Sequence, residues 1–171
     1  MKNLWILFCV CIAAWAQAAP SVQFVVTSST RHEGVGSFQI ALSITNPDNN
    51  PTSVDITVQG GGTASAGVDY TYSPVTLTFP AGSQVVELVT VYINDDQLVE
   101  GNESFTFVLN NPTNNATIGT NATHLVTITD NDAFSVGFTP ASQAAYEDAG
   151  QVNVPVQLIT GNSNPTSVTV Q

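Results

Sequence analysis

"QVVELVTVYINDDQLVEGNESFTFVL", residues 84–109, carries both the fold and its chemistry in one passage. Two runs rich in β-branched and aromatic residues, 84–93 and 104–109, read as strands. The segment joining them, "INDDQLVEGNESF" (93–105), holds four carboxylates: Asp95, Asp96, Glu100 and Glu103. Working outward, further strands are expected at 22–27, 37–45, 53–59, 74–79 and 124–129. Gly, Pro, Asn and Asp cluster between these runs, as turns require. In the run 37–45, Phe38, Ile40, Leu42 and Ile44 alternate toward one face. In the run 84–93 the apolar parity changes near Leu88-Val89, which predicts a bulge. Seven short strands within about 110 residues point to an all-β fold, an immunoglobulin-like antiparallel sandwich. A closed barrel is the competing architecture.

Charge is the second constraint. The 171 residues contain thirteen acids, but only Lys2 and Arg31 are basic. Residues 1–18 read as a secretory signal peptide. Lys2 forms a short positive start, Leu4 to Ala16 is apolar throughout, and Ala16-Gln17-Ala18 fits a small-x-small cleavage site. An uncleaved anchor is the alternative, although the apolar run is shorter than the roughly 20 residues of a membrane span. Cys9 and Cys11 both lie in this leader, so the mature chain is expected to lack cysteine. One arginine against thirteen acids then gives a net charge of −12. That balance argues against nucleic acid and against anionic membrane as partners.

The chain also repeats itself. A single offset of 114 residues aligns 22–57 with 136–171 without a gap. Val22, Phe24, Glu33 and Gly36 match Val136, Phe138, Glu147 and Gly150. Asn50-Pro51-Thr52-Ser53-Val54 recurs as Asn164-Pro165-Thr166-Ser167-Val168. The expected organisation is a domain at 19–132, followed by the N-terminal part of a second copy at 133–171. A complete second copy would run to about residue 246, so residue 171 falls inside it.

Counting strand ends places the acids. If strands run alternately up and down a sandwich, Glu33, Asp69, Asp95, Asp96, Glu100, Glu103, Asp130 and Asp132 all fall at one end. Two unit charges about 4 Å apart repel by roughly 4 kcal/mol at an intermediate effective dielectric. Arg31 is the one basic residue near enough to offset this. A hard divalent cation does so more simply, and calcium takes six to eight oxygen ligands in flexible geometry. Eight carboxylates would balance about three or four such ions. Magnesium fits less well because it retains waters, and zinc lacks its ligands, since His32 and His124 are the only imidazoles. The competing reading leaves the acids as solvated turn residues of a metal-free spacer.

Four spaced motifs occur in one order: Glu33, "GVDY" (67–70), "INDDQLVEGNESF" (93–105) and "VTITDNDA" (126–133). This series resembles the Calx-β domain over about 22–132, and 133–171 resembles the start of another copy. The resemblance implies an immunoglobulin-like sandwich with several calcium ions at one tip. Carried over by motif, the ligands are Glu33, Asp69, Asp95, Asp96, Glu100, Glu103, Asp130 and Asp132, with Glu147 opening the next set. Asn131 stands where some calcium-binding members have a further Asp.

Exchanger-type members are cytosolic sensors, a role that the leader argues against. Secreted or cell-surface members carry tandem copies in adhesion and matrix proteins. The expected role is therefore a calcium-binding, stiffening or adhesion repeat. Its partners would be neighbouring copies and protein or glycan surface ligands. Catalysis is disfavoured: paired carboxylates can hydrolyse glycosides, but no tryptophan follows Trp15 and no GxSxG elbow is present. An accessory domain of an extracellular hydrolase is the weakest of the alternatives.

Overall fold

The computed structural model describes residues 17–158, together with the backbone of residues 161 and 162. Apart from Gln17 and Ala18, the leader expected at 1–18 lies outside the described residues. So do residues 163–171 of the expected second copy. Among the described residues, no helix is long and apolar enough to cross a membrane.

The strands, in chain order, begin with β1 (Ser21–Phe24), β2 (Ser28–His32), β3 (Ser37–Thr45), β4 (Thr52–Gln59) and β5 (Tyr70–Thr71). They continue with β6 (Val75–Phe79), β7 (Glu87–Ile93), β8 (Leu98–Val99), β9 (Glu103–Asn110) and β10 (Thr117–Ile118). The last four are β11 (Thr123–Thr129), β12 (Val136–Phe138), β13 (Val156–Leu158) and β14 (Gly161–Asn162). One sheet has the order β10-β1-β3-β7-β5, and the other β2-β11-β9-β4-β6. They stack as a sandwich because each long strand alternates. Phe38, Ile40, Leu42 and Ile44 of β3 face Val54 and Ile56 of β4, Phe105, Phe107 and Leu109 of β9, and Val126 and Ile128 of β11 in one buried cluster. Aromatic contacts consolidate the lower half. Tyr70 stacks on Phe105 at 3.8 Å, and Phe107 meets Phe105 and Tyr72 edge-on at 5.3 and 4.7 Å.

Three expectations need correction. The strand expected at 22–27 is two strands. β1 pairs antiparallel with β3, and the chain then crosses the gap between sheets so that β2 runs parallel to β11. Val25 and Val26 are 46% and 52% exposed at this crossing, although they continue the apolar run. Buried His124 holds the crossing in place. Its Nδ1 lies 2.8 Å from the Val26 carbonyl and its Nε2 2.9 Å from Ser29 Oγ. Burial pushes the His124 pKa down, against the raising effect of the Val26 hydrogen bond. A neutral ring satisfies both partners, with Nδ1–H donating to the carbonyl and Nε2 accepting from the hydroxyl.

The bulge expected near Leu88-Val89 is also absent. β7 starts at Glu87 and keeps unbroken register with β3, from Ser37↔Tyr92 to Leu42↔Glu87. Val85 and Val86 are exposed residues ahead of the strand, so the parity change marks a strand start. Finally, the pairing is not wholly antiparallel, since β1 with β10 and β2 with β11 are parallel.

Beyond Asp132, β12 pairs antiparallel with β13, matching Val136↔Leu158 and Phe138↔Val156. The corresponding pairs in the sandwich are Val22↔Ile44 and Phe24↔Leu42. All four partners shift by the same 114 residues that align the sequence.

Candidate metal centre

The sandwich end below β2, β4, β7 and β11 gathers the acids, and each is fixed by its own local structure. β2 leads directly into a 3-10 turn, Glu33–Val35, which Gly36 ends at φ 71°, a conformation that suits glycine. Gly36 also lends its carbonyl to the Ile93 N–H at 3.0 Å, tying the turn to the end of β7. Asp69 precedes β5, and its Oδ2 accepts from the Ser65 N–H at 2.6 Å. Asp96 Oδ1 accepts from the Leu98 N–H at 2.7 Å, an Asx turn that launches β8. Glu103 opens β9.

Asp130 ties two of these segments together. Its Oδ2 accepts from the Glu100 N–H and its Oδ1 from the Asp132 N–H, both at 2.7 Å. Asn131 stitches a third. Its N–H donates to Glu33 Oε1 at 3.2 Å, and its Oδ1 accepts from the Gly34 N–H at 3.0 Å. Its Nδ2 reaches Asp95 Oδ1 at 3.5 Å.

The eight acids sort into two groups and two bridging positions. Glu33, Asp96 and Asp132 can place one oxygen each within 4.8 Å of one another, and so can Asp69, Glu100 and Glu103. Asp130 and Asp95 stand outside both groups. Asp130 shares a hydrogen bond with Glu33, and Asp95 faces Asn131. Glu147, expected to open the next set, is exposed in the segment after β12.

The electrostatics are those of crowded carboxylates. Glu33 is only 6% exposed. Burial lifts its pKa to about 7, helped by proton sharing with Asp130 and the charges of Asp130 and Asp132, against the Asn131 N–H. Burial likewise lifts Glu103 to about 7, with proton sharing toward Asp69 and repulsion from Asp69, Glu100 and Glu33. Glu100 is raised by burial and by the charges of Asp96, Asp69 and Asp130. Burial also works against the Asp130 carboxylate. The backbone N–H groups of Asp132 and Glu100 and the Glu33 carboxyl outweigh it, so Asp130 stays below the usual range. Arg31 lies over the Phe38 ring at 4.9 Å and donates to the Thr30 carbonyl at 2.7 Å.

Asp132 Oδ2 is buried and has no hydrogen-bond partner among the described residues. A buried carboxylate oxygen left unpaired is costly. Together with two all-oxygen triads that contain neither His nor Cys, it fits a hard oxygen-seeking cation. Sequence reasoning placed the eight acids at this end. It missed the bridging work of Asn131, whose only signal was its place between two aspartates, and that of Ser65 and Gly34, which carried none.

Residues 16–132 match the Calx-beta domain family. The chain belongs to the Calx-beta family. Among solved structures, this Calx-beta domain is similar to the apo-form Calx CBD1 domain. The two share 27% identity with a TM-score of 0.63, over 67% of this chain and all of that one. The calcium binding domain CBD12 of CALX1.1 is also 27% identical, with a TM-score of 0.61 over 67% of this chain. The chain spans only 47% of that structure, about half its length. The Calx CBD2 domain, at 15% identity and a TM-score of 0.57, shares the fold. The acidic end therefore belongs to a Calx-beta sandwich, and its triads can be weighed as a calcium site.

Proposed function

We propose that this Calx-beta domain binds calcium at its acidic end and serves as a stiffening or adhesion repeat of a secreted or cell-surface protein. The observation that carries the reading is the buried, unpartnered Asp132 Oδ2 beside Glu33 and Asp96. Bound calcium supplies positive charge that eight carboxylates otherwise lack. Glu33, Asp96 and Asp132 would hold one ion, and Asp69, Glu100 and Glu103 a second. Asp130 and Asp95 bridge between the segments. Secretion rests on the leader at 1–18. The repeat role rests on the 114-residue offset and on residues 133–171 as the start of a second copy. Protein or glycan surface ligands are the partners that this role would need.

One observation favours a metal-free spacer instead. Proton sharing between Glu33 and Asp130, and between Glu103 and Asp69, relieves part of the repulsion without any ion. A thermal melt separates the two readings. Binding to the native state raises the melting temperature once calcium far exceeds its dissociation constant. We expect a clear rise in millimolar calcium over chelator, most of it lost in Asp95→Asn/Asp96→Asn, with the metal-free variant still folded. No rise at several millimolar calcium favours the spacer.

A further inference from the structure

The sandwich leaves one side open between two strand edges. β6 pairs only with β4, and β5 covers β7 only at Tyr92 and Ile93, so residues 87–91 of β7 have an unpaired edge among the described residues. Alternate residues of an antiparallel strand direct their backbone groups to opposite sides. The Ile93 N–H points toward β3, where Gly36 accepts it. By parity, Leu88 and Thr90 turn their N–H and C=O groups outward, away from β3.

A groove of about 440 Å³ runs along this edge, lined by Tyr72, Val75, Leu77, Leu88, Thr90 and Tyr92 among others. Leu88 and Tyr92 are 50% and 56% exposed and present apolar surface along it. No charged side chain lines the groove, on a molecule with thirteen acids. Its two ends are acidic. Thr71 and Tyr92 lie two and three residues from Asp69 and Asp95, and Glu87 begins β7 at the other end.

We propose that this groove binds an extended polypeptide segment with basic flanks, added as a strand to the free edge of β7. The outward N–H and C=O groups of Leu88 and Thr90 recognise backbone, so the occupant must be a polypeptide in extended form. Alternate apolar side chains would lie on Leu88, Val75 and Tyr92. Basic residues before and after the strand would meet Asp95, which stands outside both triads, at one end and Glu87 at the other. An acidic segment is repelled throughout.

The test titrates the isotope-labelled chain with acetyl-Lys-Val-Thr-Val-Thr-Val-Lys-amide at physiological ionic strength, followed by amide NMR. Expected are shifts confined to 71–77 and 87–95. Affinity should fall about tenfold or more when alternate peptide amides are N-methylated, which removes the peptide's donors but keeps its charge. Leu88→Lys, a change at an exposed position, should weaken binding to a similar degree. Three results overturn the proposal: equal affinity for the N-methylated peptide, shifts confined to the acidic end, or no binding at millimolar peptide.

Discussion

If calcium binds at the acidic end, it must displace protons, and the number follows from the site. Glu33 and Glu103 sit near pKa 7 in the fold, against 4.5 for an ordinary glutamate. At pH 7 each is then about half protonated, so the pair holds about one proton. At pH 6 the pair holds about 1.8 protons, and at pH 8 about 0.2. Calcium ligation requires the ionised carboxylates. Binding should therefore release about one proton at pH 7, nearly two at pH 6 and almost none at pH 8. Glu100, also raised, adds to the release at the acid end of this range. Calorimetry in buffers of differing ionisation enthalpy measures the release directly. Glu33→Gln should remove about half of it. A release that is zero at pH 6, or flat from pH 6 to 8, would refute the crowding argument even if calcium binds.

The same shifts set the sign of the stability change. A carboxyl whose pKa is raised by folding stabilises the fold fully below its ordinary value, near 4.5, and that contribution is lost as pH rises through about 7. The metal-free end is thus least favourable at high pH, where calcium binds best. The calcium-induced rise in melting temperature should grow from pH 5.5 to about 7 and level off toward pH 8, where no proton is left to displace.

Four further outcomes test other parts of the chain. His124→Ala should cost about 2–4 kcal/mol in urea unfolding, because it strands the Val26 carbonyl and the Ser29 hydroxyl and empties space beside Phe24. Its lowered pKa gives stability that is fully present above 6.5 and lost as pH falls, so His124→Gln should weaken the acid dependence of the melt. Gly62→Ala should cost about 1–3 kcal/mol by denaturant titration, since its Cβ would collide with the Ser104 carbonyl that accepts from Ala64. In a chain carrying two complete copies, small-angle scattering should show a longer maximum dimension in calcium than in chelator, and an unchanged dimension would refute the stiffening role.

The long strands were legible because burial and sequence period coincide. β3, β9 and β11 alternate cleanly, and counting their ends was enough to place eight acids at one end. The crossing from β1 to β2 was not legible. Val25 and Val26 extend the apolar run, and the break depends on partners about a hundred residues away, His124 and β11. The parity change near Leu88 was visible, but it has two physical causes, a bulge or a strand start. Only the register with β3 distinguishes them. The division of the acids was hidden for a different reason. Which carboxylates share protons depends on how deeply the turn Glu33–Val35 is buried and on where Asn131 points, and neither has a local sequence signal.

The position of Asp132 joins the site to the chain that follows it. Its backbone N–H is held by Asp130, and Asp130 also holds the Glu100 N–H, so the segment leaving β11 is fastened to the β7–β9 connection. Only Ala133, Phe134 and Ser135 separate Asp132 from β12. A second tie reaches the same connection, because β14 pairs with β8 through Gly161↔Leu98 and Asn162↔Val99, between Asp96 and Glu100. The residues after the sandwich are thus attached at two points, and each point adjoins a candidate ligand. If residues 133–171 begin a second copy, as proposed, a cation at this end would act on the direction in which it leaves, through the Asp130 side chain at one point and the β14–β8 pairing at the other.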